Sequence, residues 1–193
     1  MITNMKKIIA VLVLFLTTIN LMAQEHLSIK SIPIEGSMSE FCNKLKAKDF
    51  THISNEGNIS IFMGDFTGRE ALVGVKSTDN GANVYSVIVT FEPSEEWNTL
   101  VNTYSYYKEL YTRKYGKPTT CKEHNPTHLN SNTALMGELY NGTVTWSCIW
   151  KVPGGDIGLQ INKSTGFYEG MVNIIYEDAQ NVEAKIQNDL EEI

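Results

Sequence analysis

Three cysteines, four histidines and a few clustered carboxylates are the side chains of this 193-residue chain whose types and spacing suggest chemistry. Cys121, His124 and His128 stand in a C-x2-H-x3-H spacing, and Glu123 would complete a four-ligand set of the kind zinc takes. That spacing is unspecific. Asn125-Pro126 breaks any helix between the histidines, and no distant second pair of ligands accompanies it. Cys121 also has a competing partner in Cys148. The two fall in consecutive predicted strands, and a disulfide between them would tie down the intervening segment and take the sulfur from any metal. A buried free thiol is the other reading of Cys148, which sits among apolar neighbours. No metal ligand is assigned. Cys42 is left unpaired on a first helix and is expected to be buried. A cysteine nucleophile needs a lowered pKa and an adjacent base, and no sequence cue supplies either. His26 and His52 are isolated and read as surface residues.

Other catalytic signatures are missing. The chain carries no G-x-S-x-G, H-E-x-x-H, G-x-x-x-x-G-K-[ST] or dinucleotide fingerprint. Pro153-Gly154-Gly155-Asp156 reads as a hairpin turn, since no helix follows to receive a phosphate. Glu95-Glu96 and Glu191-Glu192 fall at helix ends, where carboxylates serve capping and solubility. No catalytic residue and no cofactor is therefore assigned, and the chain is expected not to be an enzyme.

The segment Met1 to Gln24 has the layout of a secretory signal peptide. Lys6 and Lys7 precede an apolar run from Ile8 to Leu16, and the small residue Ala23 precedes Gln24. The run is too short for a comfortable membrane span of roughly 20 residues. Residues 1–23 are thus expected to be removed, leaving 24–193 as a periplasmic or secreted chain with no stable membrane insertion. Its two lysines and no acidic residue leave with it, so the formal charge of −6 becomes −8. An acidic surface repels nucleic acid and anionic lipid. The densest basic clusters (Lys44, Lys46, Lys48 and Lys108, Arg113, Lys114, Lys117) fall at helix ends or on solvated faces, so nucleic acid is not an expected partner.

The elements that must position these residues read as α+β. Ser37-x-x-Glu40 is a capping box, followed by Phe41, Cys42 and Leu45 on one helical face. A longer helix follows Pro93-Ser94, with Ser94 as its N-cap, core positions at Trp97, Leu100, Tyr104 and Tyr111, and a stop at Gly116 and Pro118. Strands are predicted near Thr51–Ser54, Ile59–Met63, Glu70–Lys76 and Val84–Phe91, then near Thr119–Glu123, Thr143–Val152, Ile157–Asn162 and Glu169–Tyr176. An insertion, Asn125–Tyr140, carries a short helix at Ala134–Leu139. A final helix after Glu177 places Val182, Ile186, Leu190 and Ile193 on one stripe. Two segments also read alike at an offset of 85 to 87 residues: Val75 matches Ile161, Val87 matches Val172, Val89 matches Ile174 and Phe91 matches Tyr176. The expectation is one domain made of two repeats, about 37–92 and 94–178, plus a C-terminal helix. Its strands would form one antiparallel sheet of about eight, with helices packed on one face.

Period-two reading then separates two faces. Val87, Val89, Phe91, Trp146, Cys148, Trp150, Leu159, Ile174 and their neighbours are bulky and apolar, and are expected to meet the helices. The opposite set mixes small, hydroxyl and apolar residues with few charges, as a surface that meets something would. Phe62, Leu72, Ile88, Ile149, Met171 and Ile175 are the candidate partner-binding residues of that face.

The tandem helix-plus-antiparallel-sheet pattern from Ser37 to about Asp178 resembles the β-lactamase inhibitor protein fold. That family is secreted and duplicated, and grips a protein partner with the open face of its sheet. The resemblance rests on architecture, so no inhibitory residue transfers, and Cys42 alone cannot form a bridge in the first half. Ile32-Pro33-Ile34-Glu35-Gly36, the Phe41…Leu45 helix and Tyr115-Gly116-Lys117-Pro118 also resemble uncharacterised small secreted proteins of Bacteroides-like bacteria. The expectation drawn from faces and resemblance is a non-enzymatic interaction module that binds a protein partner. The alternative is a small-ligand module, for lipid or glycan, using a cleft beside the 125–140 insertion.

Overall fold

A helix followed by a four-strand meander is the pattern the chain runs through twice. The structure is a computed structural model that describes residues 25–193 apart from 127, 128, 130, 167 and 192. The signal-peptide segment and His128 therefore lie outside the described residues. After a short hairpin of β1 (Ser28–Ile29) and β2 (Ile32–Pro33), the first pass is α1 (Met38–Lys46), β3 (Thr51–Glu56), β4 (Ile59–Phe66), β5 (Arg69–Ser77) and β6 (Val84–Phe91). The second is α2 (Trp97–Tyr115), β7 (Thr120–His124), α3 (Asn132–Asn141), β8 (Thr145–Val152), β9 (Gly155–Lys163) and β10 (Gly170–Asp178), closed by α4 (Ala179–Glu191). The eight long strands form one antiparallel sheet in the order β3-β4-β5-β6-β10-β9-β8-β7. The two meanders join through their last strands. Val75 pairs with Val87 in the first, and Ile161 pairs with Val172 in the second, so residues that match in sequence also match in register.

Local chemistry explains where these elements begin. The Ser37 hydroxyl accepts from the Glu40 backbone N–H at 3.3 Å, and the Glu40 carboxylate accepts from the Ser37 N–H at 3.0 Å, the reciprocal pair of a capping box. The Ser37 backbone N–H first, and then the Ser37 hydroxyl, which donates to the same carboxylate at 2.9 Å, hold the Glu40 carboxyl below its usual range. At α2 the expectation needs correction. The helix starts at Trp97, not directly after Ser94, and its cap residue Glu96 offers no side-chain hydrogen bond. Asn132 caps it from the first turn of α3, accepting from the Trp97 N–H at 2.6 Å and donating to the Glu95 carbonyl at 2.9 Å. Ser94 instead forms a two-way backbone bridge with Gly170.

The core lies between the sheet and α1, α2 and α3. Phe41 and Leu45 of α1, Leu100, Tyr104 and Tyr107 of α2, and Met136 and Leu139 of α3 join Val73, Val89, Leu159 and Ile174 in one buried cluster. Aromatic rings fill its centre: Phe91 stacks on Tyr107 at 4.4 Å, and Trp146 meets Tyr104 edge-on at 5.4 Å. The Trp150 indole donates to the Gly116 carbonyl at 3.0 Å and anchors the end of α2 to β8. The N-terminal hairpin, which strand patterning did not resolve, also enters the core through Leu27, Ile29, Ile32 and Ile34.

α4 departs from the expected stripe. Its buried residue is Asn181, whose amide donates to the Ile34 and Val84 carbonyls at 2.9 Å each, while Ile186 and Leu190 are exposed. Asp178, fully buried, caps this helix by accepting from the Asn181 N–H at 3.0 Å. The same carboxylate meets the Leu27 N–H at 2.9 Å and His26 Nδ1 at 3.0 Å. His26 is thus a structural tie and not an isolated surface residue. Among the described residues, no helix is long and apolar enough to cross a membrane.

Candidate functional site

The side of the sheet facing away from α2 is where most of the candidate binding residues gather. Strand register aligns them in transverse rows. One row runs Ser54, Ile61, Gly74, Ile88, Ile175, Gly158, Ile149, Thr120 across all eight strands. Its neighbour runs Thr51, Met63, Leu72, Thr90, Asn173, Gln160, Ser147, Lys122. The first row reads Ile-Gly-Ile-Ile-Gly-Ile at its centre, so Ile88 and Ile175 stand as a ridge flanked by two positions without side chains. An alanine would fit at either glycine, since an added Cβ meets only ordinary contacts near 3.7 Å. The notches are thus a property of the residue type and not of crowding.

Charge is displaced to the margins of this face. Glu56, Lys76, Glu177, Asp156 and Lys151 lie in the next row on one side; Asp65 and Glu70 lie on the other. Leu72 is 43 % exposed and Ile149 40 %, whereas Ile88, Met171 and Ile175 are half-buried by their neighbours. Among the described residues, Asn173 in the second row carries a buried side-chain oxygen that no protein donor reaches. A buried acceptor left in this way calls for a physical explanation.

Phe62 does not belong to this set. It pairs with Val73, is 0 % exposed and lies in the core. Both phases of β4 carry apolar residues, so alternation within the strand leaves its facing ambiguous, and the register with β5 decides it. The other five candidates, Leu72, Ile88, Ile149, Met171 and Ile175, share the open face.

The 125–140 insertion contributes a helix whose Leu135, Met136 and Leu139 are buried. Gly170 lets it close on the sheet: a Cβ there would come within 2.9 Å of both the Leu100 and Leu139 side chains. A groove of about 500 Å³ opens elsewhere, at the edge where α1 leaves β3 and β4 uncovered. Its walls include Ser37, Asn43, Lys46, His52, Asn55 and Ser60, so its chemistry is polar. Asn55 Oδ1 accepts from the Ser60 hydroxyl at 2.7 Å and lies 3.1 Å from His52 Nε2. Cys42 borders this groove as a free, buried thiol, and burial pushes its pKa up. That is the opposite of what an activated nucleophile needs.

The remaining chemistry-bearing cluster sits at the other edge. Cys121 and Cys148 are directly opposed in the β7–β8 register, and their sulfurs lie at disulfide-bonding distance. Glu123 is beside them, its carboxylate bound to Lys108 Nζ at 2.7 Å. Cys121, Glu123 and Cys148 present ligand atoms within 4.8 Å of one another. With the sulfurs bonded to each other they offer no thiolate to a metal. His124 follows Glu123 in β7, so strand alternation turns it toward the opposite face. His128, the last member of the zinc-like spacing, is outside the described residues. No family model matches this chain, and neither a curated protein nor a solved structure matches it.

Proposed function

We propose that the protein is a non-enzymatic interaction module of the periplasm or extracellular space that binds a protein partner through the open face of its sheet. The observation that carries this reading is the band of two transverse rows, without charge from β3 to β8 and with Lys122 at its β7 end, bounded by charged margins. An apolar centre with a polar rim is the anatomy of a protein interface. Its size is adequate. Taken with its charged margins, the face of eight strands at about 4.8 Å spacing and about eight residues long spans on the order of 900 Å², against about 800 Å² per partner in a standard interface. Two helix-plus-meander units with matching registers support a tandem duplication, and with it the likeness to the β-lactamase inhibitor protein arrangement.

Ile88→Lys and Met171→Lys test the proposal. Both residues are half-buried on the open face, and lysine can extend its ammonium to water in the free protein, so folding is preserved. In a complex the charge would be trapped, at a cost of about 2 kcal/mol or more, or roughly 30-fold in affinity. Capture of a specific partner from envelope extract should fall by that factor with thermal midpoints unchanged. A specific partner captured equally well by both variants would sink the proposal.

A further inference from the structure

The Cys121–Cys148 pair has a geometry that a purely structural bridge does not need. β7 is the last strand of the sheet, and each of its five residues is exposed. Cys148 lies one strand further in and is 0 % exposed. A line from the Cys148 sulfur through the Cys121 sulfur therefore leaves the sheet at its open edge. Thiol–disulfide exchange proceeds by attack of a thiolate on one sulfur while the other departs, with the three sulfurs in line. Only the approach to Cys121 is open.

The inner sulfur, although buried, has one donor in place for the charge it takes on when it leaves. The Tyr104 hydroxyl, buried beneath α2, donates to Cys148 Sγ at 3.0 Å. Burial holds this phenol far above the usual tyrosine range, so it keeps its proton and remains a donor as negative charge develops on the sulfur. Glu123 Oε1 lies 3.7 Å from Cys121 Sγ and 4.0 Å from Cys148 Sγ, placed to accept S–H hydrogen bonds once the pair is reduced. Lys108 holds that carboxylate in position.

We propose that Cys121–Cys148 is an exchangeable disulfide reduced by an external dithiol through attack at Cys121. One thiolate of the dithiol bonds to Cys121 Sγ, and the bond to Cys148 breaks with its electron pair on the Cys148 sulfur. The second thiolate of the dithiol then attacks its own partner sulfur in the mixed disulfide and releases Cys121. The dithiol is oxidised to a disulfide by two electrons, and the two protons it loses are taken up by Cys121 and Cys148. A monothiol cannot complete this sequence efficiently. Its mixed disulfide at Cys121 stays beside the Cys148 thiolate, which expels it and restores the original bond.

The test treats the purified folded protein with dithiothreitol or with glutathione, quenches with iodoacetamide, and maps alkylation by mass. Dithiothreitol should label Cys121 and Cys148 at a rate proportional to its concentration, at least about tenfold faster than glutathione at equal thiolate, while Cys42 stays unlabelled. Tyr104→Phe should slow reduction about five- to tenfold with the folded state retained. Glutathione adducts, where trapped, should map to Cys121. Labelling of both residues without reductant would overturn the proposal by showing no bond. Reduction independent of dithiothreitol concentration, or requiring denaturant, would overturn it by showing that unfolding limits access. Should Tyr104→Phe fail to fold, the concentration dependence and the adduct position in the unaltered protein decide alone.

Discussion

Asp178 is the residue on which the two ends of the described chain converge. One buried carboxylate caps α4, receives the Leu27 N–H and meets His26, partners 151 and 152 residues away in sequence. Removing it strips a helix cap and leaves a buried N–H without an acceptor. Asp178→Ala should therefore cost about 3 kcal/mol, the sum of a typical cap loss and one unsatisfied buried group. Urea midpoints measure the total. Hydrogen exchange separates the parts, because the Leu27 amide should lose protection more than amides in β5. Equal loss across the molecule would place the effect in global stability and not in this tie.

At the scale of elements, the coupling of α2 to α3 through Asn132 matters most. α2 is the longest helix of the described chain, and its first turn depends on a side chain 35 residues downstream. Asn132→Ala should cost about 1–2 kcal/mol and expose the amides from Trp97 to Leu100 to exchange. Ser94→Ala, the change that local sequence would single out, should cost less, about 0.5 kcal/mol. Its hydroxyl accepts only the exposed Glu96 N–H. If the two variants ranked the other way, the cap would belong to Ser94 after all.

The whole molecule is organised around buried tyrosines, and that sets its limit in alkali. Burial raises Tyr104, Tyr107, Tyr111 and Tyr176 above the ordinary phenol value of 10.0, and the Tyr111 and Tyr176 hydroxyls also bond each other. Their folded pKa values exceed the unfolded ones. The stability they confer is complete below about pH 10 and is lost as pH rises through the folded values, because the unfolded chain releases its protons first. The slope should approach about 1.4 kcal/mol per pH unit for each tyrosine engaged, up to four. Denaturant midpoints from about pH 9 to 12, with phenolate absorbance followed in parallel, measure it. A flat profile above pH 10 would contradict the burial of these rings.

What the sequence by itself determined is local in its physics. The Ser37–Glu40 box, the Trp97-to-Tyr115 periodicity, the turns at Gly57 and Gly154 and the alternation of eight strands all follow from interactions over a few residues, and all stand in the structure. Alternation even separated the two faces correctly for Leu72, Ile88, Ile149, Met171 and Ile175. It failed at Phe62, because β4 is apolar in both phases and only the pairing with Val73 sets its direction. Four further facts belong to the tertiary structure alone: the Asp178 tie, the Asn132 cap, the buried hairpin at Leu27–Ile34, and the place of Cys121 on the exposed edge strand. Each brings together groups far apart in the chain, or depends on which strand lies at an edge, and neither composition nor spacing encodes that. The Cys121–Cys148 pairing lies between the two cases. Spacing nominated the two residues, but only the order of strands turns one sulfur outward to solvent and the other inward to Tyr104.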